Sequence, residues 1–60
     1  MNKQMEQELK TKGFSIVNED GIAYLHITRK FNEILITNNT LGDQMVKLMI
    51  QNSIGKIILH

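Results

Sequence analysis

The chain has no cysteine, no proline and no tryptophan, and its only arginine is Arg29. Without cysteine no disulfide can brace it. The two histidines, His26 and His60, belong to no Cys/His cluster of the spacing a structural metal needs, so no metal ligand set is expected. No apolar run approaches the ~18 residues of a membrane span. The segment carrying Gln4, Glu6, Gln7 and Glu8 lacks the basic-then-apolar order of a secretory signal. Gly13, Gly21, Gly42 and Gly55 are too scattered for a phosphate-cradling loop, and no cofactor is implied. Charge of one sign is also lacking: seven basic and six acidic residues leave a net +1. Bulk charge therefore does not point to nucleic acid or an anionic membrane. The scarcity of Arg, Pro and Trp beside abundant Ile, Asn and Lys reads as an AT-rich coding sequence, from an organelle, a phage or a low-GC bacterium.

What is present is a chain of 60 residues, 42% of them hydrophobic. That content argues against disorder. A chain this short forms one domain at most and buries only about 60% of its unfolded surface. With disulfides and metal clusters unavailable, association with itself or a larger assembly is the remaining source of stability.

The local pattern predicts a helix capped by Asn2 and running to about Lys12, with Glu6–Lys10 and Glu8–Lys12 in the favourable acid-first order. Gly13 suits a left-handed cap at its end. Phe14, Ile16 and Val17 predict an extended segment, and Asn18-Glu19-Asp20-Gly21 a turn. Ile22–Thr28 alternates: Ala23, Leu25 and Ile27 form the better core face, while Ile22, Tyr24, His26 and Thr28 point the other way. Arg29–Asn32 reads as a hairpin turn leading into a second alternating run, Glu33–Thr37. Leu41–Asn52 fits two templates. Leu41, Met45, Leu48 and Met49 fall at helical spacing behind a Thr40/Asp43 capping box, while Val46, Leu48 and Ile50 alternate like a strand. Ser53-Ile54-Gly55 is a break before the apolar tail Ile57-Ile58-Leu59. This divides one domain into a helical extension over 1–13, an antiparallel sheet over 14–52 and a tail over 53–60.

Few residues suggest chemistry. His26 has no nucleophile motif near it in sequence and reads as a half-exposed strand residue; His60, at the chain end, is expected to be mobile. Glu19-Asp20 reads as a solvated turn, and Met45/Met49 as core before soft-metal ligands. Arg29 and Lys30 sit together at the expected hairpin tip, with Lys47 and Lys56 downstream. A projecting basic turn can reach a phosphate backbone without burying charge.

Leu25-His26-Ile27, then Phe31-Asn32, Ile34-Leu35-Ile36-Thr37-Asn38, Gly42-Asp43 and Ser53-Ile54-Gly55 resemble, in order and rough spacing, the N-terminal half of the small-subunit ribosomal protein eleven family. The turn after Phe-Asn is shorter than the family's, its strongly basic run after the bend is replaced by Lys56 and Ile57–Leu59, and the family's second half is not matched. The resemblance implies an α+β fold: a short N-terminal helix and a three-stranded antiparallel meander like the opening half of a ribonuclease-H-like α/β domain. It makes Gln44–Gln51 the third strand, against local helix propensity.

The resemblance further implies a structural, non-enzymatic role on the platform of the small subunit of a mitochondrial ribosome, or in a bacterial cytoplasm. The partners would be rRNA, neighbouring ribosomal proteins or a separately encoded remainder of the same domain. Arg29, Lys30, Asn32, Lys47 and Lys56 would be the RNA contacts, with no catalytic residue and no membrane association. Because a meander of this size leaves apolar sheet faces open, a second polypeptide is expected to cover them. The alternative reading is a freestanding phage or mobile-element protein that acts on a host protein as a homodimer, using a sheet edge. A third is a small toxin ribonuclease with His26 as catalyst.

Overall fold

The computed structural model describes residues 3–60. The element order is α1 (Lys3–Thr11), β1 (Phe14–Glu19), β2 (Ile22–Ile27), α2 (Arg29–Thr37), α3 (Asn39–Gln51) and β3 (Ile54–Leu59). The fold is α+β, with the expected N-terminal helix and a three-stranded sheet in the order β1-β2-β3. The proposed capping residue of α1, Asn2, lies outside the described residues. At the other end of α1, Gly13 takes φ +88°, and its N–H donates to the carbonyls of both Glu8 and Leu9, the left-handed cap its position predicts.

β1 and β2 form the expected hairpin, with Phe14 opposite Ile27 and Glu19 opposite Ile22. Its tip is the pair Asp20 (φ 53°) and Gly21 (φ 78°), both left-handed. Two successive positive φ angles make the primed turn whose twist matches the strands, which is why Asp-Gly closes it.

The rest of the chain corrects the sequence reading. Arg29–Thr37 is helix α2, so the hairpin turn at Arg29–Asn32 and the strand at Glu33–Thr37 are not formed. Thr28 caps α2: its hydroxyl accepts from the Phe31 N–H at 3.1 Å. Gln44–Gln51 lies within helix α3, not in a strand. The cap of α3 is not the Thr40/Asp43 box but Asn38, whose side-chain oxygen accepts from the Leu41 N–H at 3.0 Å. The third strand is the segment read as a tail. β3 runs parallel to β2, pairing Leu25 with Ile57 and Ile27 with Leu59, so the sheet is mixed and not a meander. Parallel neighbours need a long crossover, and α2 with α3 provides it.

Register assigns the two faces. Ala23, Leu25 and Ile27 are buried, as expected of the core face, and Met45 of α3 closes over them. Phe14, Ile16, Phe31, Leu35, Leu48, Met49 and Ile54 complete this cluster. A register shift between Ala23 and Tyr24 puts Gly55 out of step on β3. A bulge there lets both Ile54 and Ile57 share the core side despite being three apart. The opposite face is covered at β1 by α1: the buried Ser15 hydroxyl donates to the Glu8 carboxylate at 2.7 Å. The segments read as strands thus supply two helices that cover one apolar face from within the chain, and the expected second polypeptide is left as cover for the other. On β2 and β3 this second face, with Tyr24, His26, Lys56 and Ile58, is only half-covered or open.

Candidate functional site

The chain crosses from α1 into β1 at one end of the sheet, and from β2 into α2 at the same end. The Thr28 N–H donates to the Gly13 carbonyl at 3.0 Å and ties the two crossings together. This brings the last turn of α1 beside the first turn of α2. Between them lies an open groove of about 300 Å³ lined by Lys10, Lys12, Thr28, Lys30, Phe31 and Ile34. Phe31 forms its apolar wall and is held by Phe14, ring centroids 5.5 Å apart. Arg29 is exposed in the same helical turn as Lys30. No hydrogen bond or ion pair engages the side chains of Lys10, Lys12, Arg29 or Lys30 among the described residues. Lys10, Lys12 and Lys30 therefore line one groove with Arg29 in the adjoining helical turn; the N-terminal end of α2 favours an anion there, and the C-terminal end of α1 opposes it.

The five residues expected to contact RNA are not brought together. Arg29 and Lys30 lie at this groove, though on a helix start and not on a hairpin tip. Asn32 is half-buried on α2, and its N–H donates to the Thr28 carbonyl as ordinary helix pairing. Lys47 is exposed on α3, and Lys56 is exposed on β3 beside Tyr24, on the face away from α2 and α3. Lys10 and Lys12 were missed: four-residue spacing assigned them to Glu6 and Glu8, whereas Glu8 accepts from Ser15. A signal was present in Lys10-Thr11-Lys12 ahead of Gly13, but only the Gly13–Thr28 closure places it opposite Lys30.

A second, apolar groove of about 480 Å³ lies on the other side of Phe31, lined by Phe14, Leu41, Met45 and Leu48 with Lys12 at its lip. On the open face of the sheet, His26 Nδ1 and His60 Nε2 are 2.7 Å apart. Partial burial, then the neighbouring His60 charge, lowers the His26 pKa from its ordinary 6.5, against a smaller opposing pull from Glu19. His60 is not loose: its N–H donates to the Ile27 carbonyl at 2.9 Å and its carbonyl accepts from the Arg29 N–H at 3.2 Å. Among the described residues no group of three or more His, Cys, Asp or Glu side chains is placed to hold a metal ion. No helix of the described residues is long and apolar enough to cross a membrane. No protein-family model, curated protein or solved structure matches the chain.

Proposed function

We propose that this protein is a non-catalytic binding module that engages an RNA phosphate backbone through the groove between α1 and α2. The convergence of Lys10, Lys12 and Lys30 on one groove, with Arg29 in the adjoining turn, carries this reading. Ammonium groups on flexible stems suit a backbone contact that positions RNA without reading bases. The resemblance noted above proposes the small ribosomal subunit as the assembly, but α2 and α3 stand where it implies strands, which favours the freestanding module over that assembly. Among the described residues the His26 side chain hydrogen-bonds only to His60, with no carboxylate or nucleophile hydrogen-bonded to it, so a binding role accounts for the arrangement better than a nuclease does.

The test is anisotropy of a labelled single-stranded RNA at rising salt. Four phosphate contacts give a log–log salt slope of about −3, and a loss of about 50-fold between 50 and 200 mM. The triple variant Lys10→Ala, Lys12→Ala, Lys30→Ala is expected to lose most of the slope on every RNA sequence tried. Unchanged binding by that variant defeats the reading.

A second reading, the homodimer, is favoured by one observation. β3 is an edge strand whose core-side residues Ile57 and Leu59 are about half exposed, at 48% and 51%. Two copies of β3 pairing antiparallel would continue the sheet and cover both residues.

A further inference from the structure

We propose that the apolar groove beside Phe31 seats an unpaired nucleobase, so that the RNA this module takes is single-stranded. The inference rests on the phosphate reading above and adds a second contact to it. Continuity of the two grooves is the first argument. Lys12 and Phe31 line both the basic groove between α1 and α2 and the apolar groove on the other side of the Phe31 ring. A nucleotide whose phosphate meets Lys12 has its base one sugar away, at the mouth of the apolar groove. The lining suits a base in kind. Phe14, Leu41, Met45 and Leu48 are apolar, Gln44 is polar and neutral, and the one charge is Lys12 at the lip. The Gln44 amide carries both donors and an acceptor for a base edge. The volume of about 480 Å³ falls within the ~300–1,000 Å³ of small-molecule sites.

Preorganisation is the second argument. α3 packs on α2 and closes over β2 through Met45, while β1 is the edge strand. The space over Phe14 at that edge remains as the groove, with the buried Met45 side chain in its lining. Phe31 is braced by Phe14, ring centroids 5.5 Å apart, and by Gly13, where a Cβ would stand 2.7 Å from the ring. A base therefore meets a ring that is already fixed and adds an aromatic contact at little ordering cost. A duplex cannot use this seat, because its bases stay stacked inside and its phosphates and sugars face outward. Charge alone would favour the duplex, whose phosphates are denser than a single strand's. The base seat reverses that order.

The test titrates the full chain with three labelled probes of equal length: a single-stranded RNA, its duplex, and a ribose-phosphate oligomer abasic throughout. Affinity is read by anisotropy, and the Leu41, Met45 and Leu48 methyl resonances by NMR. The single strand is expected to bind about fivefold or more tighter than either other probe, the size of one base–aromatic contact, and to shift those methyls where the abasic oligomer does not. Phe31→Leu is expected to weaken single-strand binding by a similar factor. Equal binding of the intact strand and the abasic oligomer, with the salt slope kept, overturns the base seat and leaves the phosphate reading standing. Methyl shifts that the abasic oligomer reproduces, or wild-type affinity in Phe31→Leu, also overturn the seat. No salt-dependent binding of any probe overturns the phosphate reading and the seat with it. The three probes on the wild-type chain decide the question even if the variant folds poorly.

Discussion

At the scale of single residues, two glycines show how backbone and packing constraints separate. Gly13 and Gly21 both hold left-handed φ angles, +88° and +78°. A Cβ on Gly21 would meet nothing within 4 Å, whereas one on Gly13 would sit 2.7 Å from the Phe31 ring. Gly21→Ala is therefore expected to cost only the backbone strain of about 1–2 kcal/mol. Gly13→Ala adds displacement of Phe31, for a total of about 3 kcal/mol or more. Chemical denaturation of the two variants checks the order. An equal loss in both would mean that Phe31 moves aside freely, and with it the wall of the basic groove.

At the scale of elements, α2 and α3 are decided at their ends. Ile34-Leu35-Ile36-Thr37 has the β-branched content and the alternation of a strand. Phe31, Ile34 and Leu35 also fall at helical spacing, and a run this short satisfies both templates. Thr28 caps one end. Asn38 ends α2 by donating its N–H to the Ile34 carbonyl and begins α3 through its side chain. One residue thus serves two helix ends. Asn38→Ala keeps that N–H and loses only the side-chain cap of α3, and is expected to cost about 1 kcal/mol. Asn38→Asp should recover most of it, since its carboxylate still accepts from Leu41. Circular dichroism and thermal melts of the pair check this; no loss in Asn38→Ala would place the role of Asn38 in its backbone alone.

At the scale of the whole molecule, four buried hydrophobic residues, Ala23, Leu25, Ile27 and Met45, are a small core, while Ile36, Val46, Ile50, Ile57 and Leu59 stay about half exposed or more. Such surface in a chain this short favours association. If β3 pairs with itself, sedimentation should show a dimer at micromolar concentration, and Ile57→Lys with Leu59→Lys should return it to a monomer with its circular dichroism intact. A wild-type monomer at that concentration removes the dimer reading and leaves the RNA reading untouched, since the basic groove lies at the α1–α2 end and uses neither residue.

The sequence by itself determined the elements whose signals are local: α1 and its Gly13 cap, the β1–β2 hairpin with its Asp20-Gly21 turn, and the buried face Ala23, Leu25, Ile27. Each rests on a capping preference, a turn angle or a periodicity confined to a few residues. The tertiary structure decided everything after Thr28. Whether 33–37 and 44–51 became strands or helices depended on what they could cover, and the sheet needed an apolar layer over Leu25 and Ile27. Met45, Leu48 and Met49 supply that layer only from a helix. With α2 and α3 as the crossover, Ile54–Leu59 reaches β2 and pairs parallel to it. That parallel pairing between distant segments leaves no local mark in sequence. The same long-range closure gathers Lys10, Lys12 and Lys30 into one groove and sets His60 against His26.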